Sequence, residues 1–197
     1  ERSHMTATAL AARRKALAWM IGGPLAGSSL AGIVGCAATP ALAGPTAAQA
    51  GRAVEVAPGV YMVRGAAGDV DDTNLGRIGN TGFIVGPTGV IAVDTGTSYL
   101  HGQALLAEVA RVTDRPVKLA LITHTRQEFL FGAAAYRERG IPIHMQRLGA
   151  RLMAARCEGC LKSLNRQLGT DAMRGTSMFK ADVEFEGPQQ IDLIGRP

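Results

Sequence analysis

The sequence predicts one α/β domain, α+β-like in its order of elements, with a mixed sheet carrying helices on one face. Three observations predict it. Short β-patterned runs follow one another from Val54 to Val93, apolar residues then recur at helical spacing between further strand patterns, and no internal repeat interrupts the series. Of 197 residues, the first 50 read as a leader, so residues 51–197 form the domain, a length that suits a single core.

The leader comes first. Glu1-Arg2-Ser3-His4 reads as a remnant ahead of a start at Met5, and Arg13-Arg14-Lys15 then precedes the weakly apolar stretch from Ala16 to Val34. Paired arginines before such a stretch have the order of a twin-arginine (Tat) export signal, and a Sec signal is the other route; either one exports the chain to the periplasm. Small residues at alternate positions allow cleavage after Ala43 or after Ala50. Ile33-Val34-Gly35-Cys36 also has the form of a lipidation box on Cys36, against the plainer reading of a small cysteine inside a signal core. Gly22, Gly23, Pro24, Gly27 and Gly32 weaken this stretch as a membrane span, so membrane contact is expected mainly through partners.

The elements of the domain follow in order. Val54–Val56 and Val60–Val63 read as strands around a Pro58-Gly59 turn, and the polar, Gly-rich stretch Asp69–Arg77 as a loop. Thr81–Val85 and Val90–Val93 form a hairpin across the four-residue connection Gly86-Pro87-Thr88-Gly89. Leu105, Leu106, Val109 and Val112 set a helix over Tyr99–Val112, which Pro116 separates from a strand at Val117–Ile122. A second helix is expected over Phe129–Glu138, a strand at Ile141–His144, a mainly helical stretch from Gln146 to Leu168, and a last hairpin from Val183–Phe185 and Gln189–Ile194.

Charge narrows the function classes. The chain carries 21 basic and 16 acidic residues, of which four and one precede residue 51, so the domain keeps a net charge of only +2. Its arginines are dispersed and aromatics make up 5% of the chain, which argues against nucleic-acid binding.

Asp94-Thr95-Gly96 ends one strand, and a later one runs into Thr123-His124. This order resembles the metallo-β-lactamase superfamily. Asn80–Gly86, Val112–Val117 and Gly132–Tyr136 are similar to the zinc metallohydrolase-like proteins associated with quinoprotein dehydrogenases. The resemblance implies half of the αββα sandwich of that superfamily. It also implies, in active members, a His-x-His-x-Asp-His run at the strand end, because two zinc ions need converging imidazoles and a carboxylate around a bound water. Here that run reads His124, Arg126, Glu128 and Phe129, so His124 is the only remnant of the zinc motif. A guanidinium cannot ligate a cation, and Glu128 is its natural partner. The chain ends at Pro197, ahead of where the resemblance puts the later ligands. No catalytic, cofactor-binding or metal residue is therefore expected in this chain.

Other candidates were weighed against plainer roles. His101, His124 and His144 lack the close spacing of a dedicated metal site even with Glu128. Asp94 suits a loop-capping role. Cys157 and Cys160 are expected to form a structural disulfide in an oxidising compartment, with a redox role as the alternative. An open sheet edge and an uncovered face then point to an obligate subunit.

Exported half-size chains of this kind resemble the small third subunit of the membrane-bound quinohaemoprotein alcohol dehydrogenases of acetic acid bacteria. That resemblance implies two partners at the outer face of the inner membrane, a large subunit holding pyrroloquinoline quinone (PQQ) and haem c, and a multihaem cytochrome c subunit. This chain would be their accessory subunit, without a cofactor of its own. The alternative expectation is a divergent periplasmic zinc-dependent metallohydrolase.

Overall fold

A computed structural model describes residues 51–196. The leader, its cleavage positions and Cys36 lie outside the described residues, apart from Gly51 onward.

Seven strands form one sheet in sequence order, β1 (Ala53–Ala57), β2 (Val60–Val63), β3 (Thr81–Gly86), β4 (Gly89–Val93), β5 (Val117–Ile122), β6 (Ile143–Gln146) and β7 (Val183–Phe185). Pairing is antiparallel from β1 to β4, where tight turns join β1 to β2 and β3 to β4 and a long loop joins β2 to β3, and parallel from β4 to β7, where helices make the crossovers. The helices are α1 (Tyr99–Val112), α2 (Gln127–Leu130), α3 (Ala133–Glu138) and α4 (Arg147–Ala172). The mixed α/β sheet expected from the sequence is the one observed.

Side-chain alternation separates the two faces. Phe83, Val90, Ala92, Ala120, Ile122, Ile143 and Met145 point to the helices and meet Leu105, Leu106 and Val109 of α1, Tyr136 of α3, and Met153 and Leu164 of α4. Ile84, Ile91, Leu119 and Leu121 point the other way, where Ile191 and Ile194 of the C-terminal segment pack on them. Among the described residues that segment is the cover on this face, and it leaves Val183 and Leu193 exposed.

Four expectations shift for identifiable reasons. Gly86 pairs with Gly89, so the hairpin loop has two residues, Pro87 and Thr88, and not four. The helix expected over Phe129–Glu138 is broken into α2 and α3 at Gly132, where a Cβ would lie 1.8 Å from the Thr95 carbonyl oxygen. Thr95 Oγ1 donates to the Phe129 and Leu130 carbonyls, each at 2.9 Å, and so ties the break to the end of β4. β6 begins at Ile143 because Pro142 has no N–H; its carbonyl still accepts from Ala120 N at 2.9 Å.

The last hairpin is not formed. β7 pairs with β6 in parallel, and residues 189–194 cross the sheet face without joining it. Burying Ile191 and Ile194 on Ile91 and Leu119 outweighs a ladder that Pro188 already interrupts. The segment is fastened by Thr88 N donating to Ile194 O at 3.2 Å and by Arg196 donating to Pro58 O at 2.9 Å. Gly86 permits this approach, since a Cβ there would meet Ile194 O at 2.2 Å.

Candidate functional site

β4 and β5 are parallel neighbours, so their C-terminal ends lie side by side and bring Asp94 next to Thr123 and His124. Asp94 is 4% exposed and has φ +62°, a left-handed conformation that short polar side chains tolerate. Its carboxylate accepts from Thr123 N at 2.8 Å and from Thr123 Oγ1 at 2.7 Å. Burial pushes the Asp94 carboxyl above its usual range, against the lowering effect of those two bonds.

The hydrogen bonds fix a tautomer. Thr123 has one hydroxyl proton and gives it to Asp94, so its oxygen accepts from the adjacent His124 Nδ1–H. In the neutral ring this leaves the lone pair on His124 Nε2, and the exposed ring rests against Phe129 with centroids 5.1 Å apart. The arrangement orients an imidazole as outer-shell partners orient metal ligands.

Its neighbours do not complete such a centre. Arg126 Nε lies 2.7 Å from Glu128 Oε1, and the Glu128 side chain is 8% exposed against 71% for Arg126. The carboxylate is thus neutralised from within the loop, and its partner is a permanent cation. Gly79 packs against this loop, for a Cβ there would fall 2.5 Å from Phe129 Cε1. One imidazole, one paired carboxylate and an aromatic ring do not fit a zinc ion, and no group of three or more metal-ligating side chains occurs among the described residues.

The other histidines lie elsewhere. His101, in the first turn of α1, is buried on the helix side, where its Nδ1 accepts from Thr97 N at 3.2 Å; burial and then the Arg77 charge hold its pKa down to about 3. His144 is on β6 beside Val183, on the opposite face, and burial lowers its pKa.

Cys157 and Cys160 require a correction, because both are free thiols where a disulfide was expected. They lie a turn apart on α4 but turn to different carbonyls, Cys157 to Thr125 O at 3.9 Å and Cys160 to Arg156 O at 3.8 Å. Burial, and then the neighbouring Cys160, push the Cys157 thiol up to about 11.

A metallo-β-lactamase from Pontibacter korlensis superposes with a TM-score of 0.52 and 17% identity, over 73% of this chain and 56% of that one. The fold is that of a metallo-β-lactamase. One from Erythrobacter litoralis, with β-mercaptoethanol in its active site, has a TM-score of 0.43 and 25% identity, over 52% of this chain and 44% of that one. Among curated proteins, the linear primary-alkylsulfatase of Pseudomonas sp. (strain ATCC 19151) is 35% identical over 54 residues, which is 27% of this chain and 10% of the sulfatase. The chain therefore spans about half the length of the solved structures it resembles and a tenth of that curated relative. No protein-family model matches the sequence.

Sequence reasoning singled out His124, Arg126, Glu128 and Asp94 but missed the Asp94–Thr123–His124 chain. Its signal was present, since both an acidic residue and a hydroxyl stand at the ends of strands that a helical crossover makes parallel.

Proposed function

We propose that this chain is a non-catalytic accessory subunit of a periplasmic, membrane-bound quinohaemoprotein alcohol dehydrogenase, which it stabilises or activates. PQQ and haem c belong to the partner subunits. The observation that carries this reading is the 2.7 Å pair between Arg126 and Glu128, which fills the ligand loop with a self-neutralised contact. A carboxylate already paired with a guanidinium is offered neither to a metal nor to a water.

Two further features support a subunit. The sheet face opposite the helices is apolar and only partly covered by residues 189–196 among the described residues, as a surface that another chain would complete. Arg13-Arg14 and the stretch behind it suit export to the compartment where such dehydrogenases work. No helix among the described residues is long and apolar enough to cross a membrane, so the attachment would come through the partners.

A second reading, a divergent zinc-dependent periplasmic hydrolase, is favoured by the lone pair on His124 Nε2 and by the 54-residue likeness to an alkylsulfatase. One experiment separates the two. The protein is purified from native membranes in a gentle detergent, and the co-purifying material is stained for haem and analysed for metals. A haem-bearing, quinone-dependent dehydrogenase without stoichiometric zinc on this chain is the expected result; a solitary chain carrying stoichiometric zinc overturns it in favour of the hydrolase.

A further inference from the structure

A cleft of about 220 Å³ opens between the loop after β2 and the first turns of α1. Arg64, Arg77 and His101 line it together with Thr73, Asn74 and Leu105, and no acidic side chain does. Gly79 forms part of its wall and packs on its other side against Glu128 and Phe129, whose side chains are not in the lining.

Two observations make this cleft unusual. Arg77 Nε is buried without a hydrogen-bond partner, and neither Arg77 nor Arg64 forms an ion pair among the described residues. A buried guanidinium donor without an acceptor is costly, so native proteins supply one from the chain, from water or from a ligand. Meanwhile Thr97 N–H occupies His101 Nδ1, which leaves the imidazole proton on Nε2 as another donor without a partner among the described residues. Protonation does not alter that arrangement near neutral pH, since burial and Arg77 keep the ring uncharged.

The walls are held ready. Arg77 O accepts from Ala66 N at 2.8 Å and Arg77 N donates to Asn74 O at 2.9 Å, which fixes the backbone that carries the guanidinium. Asp71 accepts from Thr73 N and Asn74 N, and Asn74 Oδ1 accepts from Gly76 N at 2.8 Å. Thr97 Oγ1 donates to Gly76 O, and so binds the loop to the start of α1. The Asp71 carboxylate and Asn74 Oδ1 are thus already engaged, whereas Arg77 Nε, on a residue that lines the cleft, has no acceptor. Preorganised donors around a net positive charge favour an anion with several acceptor oxygens.

From this we infer that the cleft of Arg64, Arg77 and His101 binds a compact oxyanion, either the carboxylate of a small organic acid or inorganic phosphate. Its volume is below the range of pockets for larger organic ligands. The inference is independent of the subunit reading, because the cleft lies on the helix side of the sheet and not on its open face.

The test is calorimetric titration of the full chain with sodium acetate and, separately, sodium phosphate, with chloride holding the ionic strength constant. The expected result is saturable, one-to-one binding in the millimolar range or tighter for at least one of them. Acetate alone assigns a carboxylate ligand, phosphate alone assigns phosphate, and saturation by both assigns the shared oxyanion chemistry. Arg77→Gln should weaken binding at least about tenfold, as expected for loss of a charge-assisted donor. Arg64 is exposed, so Arg64→Ala leaves the fold intact and should weaken binding a few-fold, even if Arg77→Gln does not fold. Absence of saturable binding for both anions, or undiminished affinity in Arg64→Ala and a folded Arg77→Gln, overturns the proposal.

Discussion

The Asp94 carboxylate holds Thr123 by two hydrogen bonds, from its backbone N–H at 2.8 Å and from its hydroxyl at 2.7 Å. The two residues are 29 positions apart, yet the contact joins the ends of adjacent parallel strands and orients His124 through the same hydroxyl. The contact thus fixes the backbone that leads into the Arg126–Glu128 loop and the orientation of His124.

Removing that support should cost stability. Asp94→Ala leaves the Thr123 N–H and hydroxyl without their acceptor and is expected to destabilise the fold by about 1–3 kcal/mol in urea unfolding. Thr123→Val, which removes one of the two bonds, should cost less. Equal unfolding midpoints for wild type and Asp94→Ala would show the contact to be idle.

The pH dependence of stability should carry the signature of His101. Its folded pKa is held down from 6.5 to about 3, so on acidification the unfolded chain takes up a proton that the folded chain refuses. The contribution of the neutral ring is present above about 6.5 and is lost as the pH falls toward 3. His101→Gln should flatten this part of the profile, measured as unfolding free energy between pH 7 and pH 4; an unchanged slope would exclude His101 as its source.

Placing histidines at the loop's two other offsets should create metal binding. In an Arg126→His, Phe129→His variant the cation is removed, Glu128 is released and three imidazoles follow the spacing that the resemblance supplies. Cobalt added to this variant is expected to give visible d–d absorption at about micromolar metal, while wild type gives none. A colourless double variant that is folded by circular dichroism would mean that Asp94 and Thr123 no longer hold the loop in a ligating geometry.

The two cysteines should differ in reactivity. Cys160 is partly exposed, whereas Cys157 is buried with its thiol pushed up to about 11. Iodoacetamide at pH 8 is expected to modify Cys160 at least about tenfold faster than Cys157, followed by peptide mass spectrometry without reductant. Recovery of a Cys157–Cys160 disulfide peptide from protein purified under non-reducing conditions would contradict the free-thiol state.

The chain's local chemistry was largely readable from the sequence. The spacing of Leu105, Leu106, Val109 and Val112 set α1 at the observed bounds, and the alternating runs around Pro58-Gly59 and Gly86–Gly89 set β1 to β4 to within a residue or two. That Arg126, Glu128 and Phe129 stand at fixed offsets from His124 was also legible, while reading those offsets as ligand positions rests on the resemblance. These features follow from interactions among residues close in the chain.

Tertiary packing decided the rest. The helix is interrupted at Gly132, whose N–H donates to Gly96 O at 3.0 Å and whose lack of a Cβ lets the Thr95 carbonyl beyond β4 approach. The Gln189–Ile194 run alternates like a strand but buries its isoleucines on Ile91 and Leu119 instead of pairing with β7. Cys157 and Cys160 have the spacing of a disulfide, yet in the folded chain they are free thiols beside one another, with burial pushing the Cys157 thiol up. Arg77 and His101 come from separate elements and share a cleft only when the loop after β2 folds over α1. Sequence thus determined which groups the chain carries and where its local elements form, whereas only the folded structure decided which groups meet, because burial and long-range hydrogen bonds depend on neighbours that no local pattern specifies.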